Sequence, residues 1–166
     1  MSSRSARFVS KINCMLNMAK EVSTLSTDLH TKHGCIIVDD EFHILGAGYN
    51  GLPKGFDDSN PYLLERPTKY LFMVHSEVNA VSNCTAKPKN AKAIVTGWCC
   101  INCLIHLHQN DICEIYMDNR MSKMLDNDEY WINLEVFRQN SKVKLYIIEN
   151  GQIVDVHLST GFRSIN

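Results

Sequence analysis

Residues 93–117, AIVTGWCCINCLIHLHQNDICEIYM, decide how this chain folds. Ala93-Ile94-Val95-Thr96 is a short apolar, β-branched run of the kind that fills a buried strand. Cys100 to Gln109 has helical character, and Ile112 to Met117 reads as a strand again. Outward from there, Val74 to Ser82 is helix-compatible, a helix spans about Ser122 to Gln139, and Val143 to Ile148 supplies another strand. Near the start, Phe8, Ile12, Met15, Leu16, Ala19 and Val22 recur at helical spacing. Cys35-Ile36-Ile37-Val38 then runs into the turn signal Asp39-Asp40, and His43-Ile44-Leu45-Gly46-Ala47-Gly48-Tyr49 follows as a hairpin partner. Strands alternating with helices predict an α/β fold, a three-layer α/β/α sandwich around a mixed five-stranded sheet. No repeat or Gly/Ser linker divides the chain, so one domain over residues 1–166 is expected.

The 166 residues are 45% hydrophobic, enough to bury a proper core. A formal charge of -1 supplies no bulk field for a phosphodiester backbone, so a small-molecule substrate is expected and nucleic acid is not. Seven cysteines form no even, regularly spaced disulfide set, which points to reduced thiols, some of them binding metal. Lys11, Asn13, Asn17 and Lys20 interrupt the first apolar positions, and no run approaches membrane-spanning length. A cytoplasmic protein without membrane segments is expected. The stretch from Asn50 to Pro67 holds three prolines, two glycines and two adjacent aspartates, and reads as a long functional loop.

Chemistry concentrates at His75-Ser76-Glu77 and Cys100-Ile101-Asn102-Cys103. Zinc takes imidazole nitrogen and thiolate sulfur in a tetrahedral shell, and three protein ligands leave one position for water. A Cys-x-x-Cys pair at a helix start lets both thiolates converge on one ion, with the helix N-terminus favouring their charge. A Cys-x-x-Cys alone fits a structural zinc knuckle or a redox pair equally well. A glutamate two residues past the histidine ligand is what a purely structural site has no need for. The expected ligands are therefore His75, Cys100 and Cys103, with Glu77 as the catalytic proton carrier.

The pattern resembles the zinc deaminases, in which His-x-Glu and Pro-Cys-x-x-Cys form one site. Ser76 stands where alanine is usual and Cys99 where proline is usual. Cys99 is expected to face away from the metal, a ligand swap being the alternative. From Gly34 to about Asp118 the chain resembles the deoxycytidylate deaminases of the cytidine deaminase superfamily. Gly48-Tyr49-Asn50-Gly51-Leu52-Pro53-Lys54-Gly55 matches a family loop, and Thr68-Lys69-Tyr70 followed by His75-Ser76-Glu77-Val78-Asn79-Ala80 is similar to a second family segment.

The resemblance implies a cytidine deaminase-like fold and zinc-dependent deamination of dCMP to dUMP and ammonia. It implies that Asn50 bonds the nucleoside, although Asn beside Gly also suits a turn. Trp98 would border the base and Ser76 would bring a hydroxyl near the substrate. Gly51, Pro53, Gly55 and Asn79 would belong to a site for the effectors dCTP and dTTP, with magnesium at Asp57 or Asp58. A homo-oligomer, hexamer or dimer, is implied as well. Leu25-Ser26-Thr27-Asp28-Leu29 lacks the arginine that many members carry there, and Arg120 is the expected replacement contact for phosphate, with Lys123 nearby. Met117 and Met121 occupy positions where some relatives have tyrosine. No second metal is expected at His30, His33, His106 or His108. Deamination of dCTP, a nucleoside or ring-modified dCMP, of tRNA adenosine, or a non-catalytic zinc-binding role are the alternatives left open.

Overall fold

In the computed structural model, which describes residues 4–156, an amphipathic helix leads into a sheet. Helix α1 (Ala6–Ser23) is capped by the Ser5 hydroxyl, which accepts from the Phe8 N–H, and its apolar stripe buries Ile12, Leu16 and Ala19. Strands β1 (Gly34–Val38) and β2 (Ile44–Tyr49) form the expected hairpin. Short helices α2 (Pro61–Leu64) and α3 (Lys69–Phe72) follow, then α4 (Ser76–Ser82), β3 (Ala91–Val95), α5 (Ile101–Gln109) and β4 (Ile112–Asp118). A 3-10 turn (Lys123–Asp126), α6 (Asp128–Asn140), β5 (Lys144–Glu149) and β6 (Gln152–Asp155) complete the described chain.

The sheet is mixed, in the order β2-β1-β3-β4-β5-β6, with β3, β4 and β5 parallel and the other pairs antiparallel. It has six strands where five are expected. The sixth follows a two-residue turn in which Asn150 and Gly151 both take positive φ, 49° and 75°, so Glu149 pairs directly with Gln152. Asn-Gly is the strongest short hairpin signal a sequence carries, and it stands openly at 150–151.

Alternation along each strand separates two cores. Cys35, Ile37, Ala93, Val95, Ile115, Met117 and Ile147 pack against helices α4, α5 and α6. Ile36, Val38, Ile94, Tyr116, Tyr146 and Ile148 pack against α1. The result is the three-layer sandwich, with period-2 strands feeding opposite faces.

Two local departures position the site. Val74 is not helical: it exchanges backbone hydrogen bonds with Gly51 at 3.0 and 2.8 Å, which starts α4 one residue after His75. The helix expected from Ser122 breaks at Asn127, whose side chain caps α6 by accepting from the Glu129 N–H. Gly46 and Gly48 let α4 lie directly on β2. A Cβ on Gly46 would sit 2.5 Å from the Ala80 carbonyl oxygen, and one on Gly48 would sit 2.5 Å from that of Ser76. Among the described residues, no helix is long and apolar enough to cross a membrane.

Candidate metal centre and its cavity

The three expected ligands meet where α4 and α5 begin, beyond the carboxyl end of β3, the usual place for a site on parallel strands. His75 and Cys100 are the N-cap residues of the two helices, and Cys103 lies in the first turn of α5. His75 Nδ1 is 3.2 Å from Cys103 Sγ and 3.6 Å from Cys100 Sγ, and the three ligand atoms lie within 4.8 Å of one another. Tetrahedral zinc with bonds of about 2.0–2.1 Å to nitrogen and 2.3 Å to sulfur needs N and S roughly 3.5 Å apart. The donor set and its spacing fit zinc.

The three side chains are coupled through hydrogen bonds. Cys100 is pushed down to about 4, first by the hydrogen bond from the Cys103 thiol and then by His75. Cys103 is pushed up by that same hydrogen bond and by burial. The hydrogen bond to Cys100 raises His75. Among the described residues this is the single cluster of three or more His, Cys, Asp or Glu suited to a metal, and His30, His33, His106 and His108 are outside it.

Glu77 is 5% exposed and lines a cavity of about 280 Å³ together with His75, Ser76, Cys100, Asn50 and Trp98. Ser76, fully buried, lines the cavity but spends its hydroxyl on Glu77, donating to Oε2 at 2.9 Å. Trp98 packs edge-on against Trp131, with ring centroids 5.4 Å apart, and its indole N–H donates to Asn119 Oδ1.

Cys99 is buried and outside the ligand cluster. Burial first, and then the nearby Glu77 carboxylate, push its thiol well up, so it stays protonated. Its backbone explains a second departure from the family pattern. The Cys99 N–H, which proline would lack, donates to the Met117 sulfur at 3.4 Å, and the Cys99 carbonyl accepts from the Tyr130 hydroxyl at 2.9 Å. Tyr130→Phe removes that donor from a buried carbonyl, with an expected loss of about 1–3 kcal/mol in urea unfolding and an unchanged zinc content. An unchanged unfolding midpoint would show that the carbonyl finds another partner.

Asn50 is not among the residues of positive φ, so left-handed backbone is not what requires an asparagine there. Its side chain is a clamp: Oδ1 accepts from the His33 N–H at 2.7 Å and Nδ2 donates to the Thr31 carbonyl at 2.9 Å. Asp28 holds the same segment from its other side, accepting from the N–H groups of His30 and Thr31. That carboxylate meets Lys69 Nζ at 2.9 Å through both oxygens, with each side chain only 4% exposed. Asp28, Lys69, Thr31, His33 and Arg66 all line the cavity. None is singled out by the sequence as a site residue, and a pairing across 41 positions leaves no local signal.

The remaining expected residues lie elsewhere. Arg120 is outside the cavity lining and donates from Nη1 to the Lys32 carbonyl at 3.0 Å. Gly51, Pro53, Gly55 and Asn79 are also outside it. Gly51 pairs with Val74, Gly55 has a φ of 84° in open space, and Asn79 donates to the Tyr49 carbonyl at 2.8 Å. Asp57 accepts from the Ser59 N–H and hydroxyl, a local loop turn.

Residues 9–118 match the family model described as the cytidine and deoxycytidylate deaminase zinc-binding region. A probable deoxycytidylate deaminase of Caenorhabditis elegans is 37% identical over 125 residues, covering 68% of this chain and 63% of that protein. The deoxycytidylate deaminase of Homo sapiens is 34% identical over 111 residues, covering 63% of this chain and 61% of that protein. These alignments thus span about three-fifths of each relative's length. The crystal structure of dCMP deaminase from the cyanophage S-TIM5 in complex with dCMP and dUMP superposes with a TM-score of 0.65 at 21% identity, over 87% of this chain and 99% of that one. Acinetobacter baumannii RibD superposes with a TM-score of 0.58 at 18% identity, over 84% of this chain and 35% of that one. Both likenesses speak for the fold.

Proposed function

Since the chain belongs to the cytidine and deoxycytidylate deaminase zinc-binding family, we propose that it deaminates dCMP hydrolytically to dUMP and ammonia, supplying the precursor of thymidylate. The observation that carries this reading is that Glu77 lines the same cavity as His75 and Cys100, directly beside the ligand cluster. Relatives named for deoxycytidylate support the choice of nucleotide.

A zinc ion held by one imidazole and two thiolates supplies, when bound, the acidity that makes water a nucleophile near neutral pH. The chain's own residues do the rest. Glu77 takes a proton from the attacking water and hands it to the ring nitrogen beside the amine-bearing carbon. The water oxygen bonds to that carbon, and Glu77 carries the second proton to the amine. The C–N bond then breaks with its electrons on nitrogen, ammonia leaves, and the carbonyl of uracil remains. The hydroxyl of Ser76 donates to Oε2 of Glu77 and so helps to orient its carboxyl group. Asn50 would meet the nucleoside with the amide hydrogen and lone pair that its clamp on Thr31 and His33 leaves over. Trp98 borders the base.

Regulation by dCTP and dTTP at the Gly51 to Gly55 loop and Asn79, with magnesium at Asp57 or Asp58, is the second part of the proposal, as is assembly into a homo-oligomer. A cytoplasmic setting is supported by seven free thiols. The test is ammonia release from dCMP, CMP, deoxycytidine, dCTP and an adenosine-bearing RNA hairpin, each with and without dCTP and dTTP as effectors. dCMP is expected to react fastest, with dCTP raising and dTTP lowering its rate. Zinc-loaded protein that releases no ammonia from any of them would make the chain a non-catalytic relative, and flat rates with both effectors would remove the regulatory part.

A further inference from the structure

The cavity has a buried end and an open one. Glu77 is 5% exposed, whereas Tyr70, which lines the same cavity, is 64% exposed. Arg66 is exposed as well, and it also lines an adjoining surface depression with Leu29, His30, Thr31 and Glu65. A cytosine ring that reaches Glu77 leaves the far end of its nucleotide at this mouth.

That far end is anionic, and the lining it enters includes the acidic side chains of Glu77 and Asp28. Charge complementarity therefore needs a cation that is not already spent. Only two lining residues, Lys69 and Arg66, carry a permanent positive charge. Lys69 is neutralised by both oxygens of Asp28 at 2.9 Å. Arg120 lies outside the cavity and is tied to the Lys32 carbonyl. Arg66 forms no ion pair with any described carboxylate. Its guanidinium lies over the Tyr70 ring, 5.4 Å from the centroid. No described residue accepts a hydrogen bond from the guanidinium, so its N–H fork is available for a phosphate group, which it can bind with two parallel hydrogen bonds.

We propose that Arg66, braced by Tyr70, is the residue that recognises the 5′-phosphate of the substrate and so selects a nucleotide over a nucleoside. This assignment rests on the dCMP reading above. It places phosphate recognition in the segment between α2 and α3, in place of the arginine missing before β1.

The experiment measures kcat and KM for dCMP and for deoxycytidine in the parent and in Arg66→Ala, Arg66→Lys and Arg120→Ala. Arg66→Ala is expected to lower kcat/KM for dCMP on the order of 10- to 100-fold, chiefly through KM, with deoxycytidine within about twofold of the parent. Arg66→Lys recovers part of the loss, since a point charge replaces the fork. Arg120→Ala leaves the ratio of the two substrates unchanged. Deoxycytidine serves as the folding control within each variant. Equal losses on both substrates, or an unchanged rate on dCMP, would overturn the assignment to Arg66. A parent enzyme that shows no preference for dCMP over deoxycytidine would remove the dCMP reading itself, and that result is visible before any substitution is made.

Discussion

The Glu77→Gln protein is expected to bind zinc as the parent does and to lose turnover by about 10²- to 10⁴-fold, the usual worth of a positioned acid–base group. The amide has the shape of the carboxylate and still offers an oxygen to the Ser76 hydroxyl, so helix α4 and the adjacent His75 keep their places. What it lacks is a site that can take up and release a proton near neutral pH. Metal content by atomic absorption and ammonia release on the same sample separate the two properties. Full zinc with a rate within about tenfold of the parent would mean that another group carries the proton. Loss of zinc together with rate would mean that Glu77 supports the ligand cluster rather than the chemistry.

Lys69→Met is expected to cost about 3–5 kcal/mol of stability at pH 7, because it strands the Asp28 carboxylate in a place almost closed to water. Burial alone would push the Asp28 carboxyl up, but the Lys69 ammonium and the N–H groups of His30 and Thr31 outweigh it and hold the group below the usual carboxylate range. A carboxyl with a depressed folded-state pKa contributes stability that is present above its unfolded pKa and is lost as pH falls through the folded one. In the variant the partnerless carboxyl is relieved by protonation, so the difference between parent and variant shrinks in acid. Urea-unfolding midpoints at about pH 7 and about pH 3.5 bracket the ordinary Asp titration and measure this. An equal difference at both would assign the loss to packing of the lysine stem instead of its charge. The double substitution Asp28→Leu with Lys69→Met recovers only part of the stability, since Asp28 also satisfies the backbone of His30 and Thr31.

The metal centre was legible because its logic is local. His75 and Glu77 are two residues apart and Cys100 and Cys103 three, and each pair sits at the start of one helix, so spacing alone brings them to one edge of the sheet. Five of the six strands and the long helices were legible for a similar reason, since period-2 and period-3.6 patterns are written along the chain. The sixth strand was missed although Asn150-Gly151 announces its turn; Gln152-Ile153-Val154-Asp155 is too short and too polar at its ends to stand out by pattern. The break at Asn127 was missed because helix-compatible residues continue on both sides of the cap. The placement of the arginines was the least legible. Arg120 and Arg66 are equally plausible as letters, and only the fold reveals that one is held by the Lys32 carbonyl while the other faces the cavity. The use of Asn50 as a clamp was likewise hidden, because its partners are backbone groups 17 and 19 positions away.

The bare backbone contact between β2 and α4, permitted by Gly46 and Gly48, leaves no cushion of side chains between the sheet and the helix that bears Glu77. With nothing to compress or repack there, the Glu77 end of the cavity is registered directly to the sheet. The mouth is made by exposed residues of the segment before and within α3, Arg66 and Tyr70. On the proposed roles of Arg66 and Glu77, substrate preference is rewritten at the rim by single substitutions while the reaction stays at a fixed address.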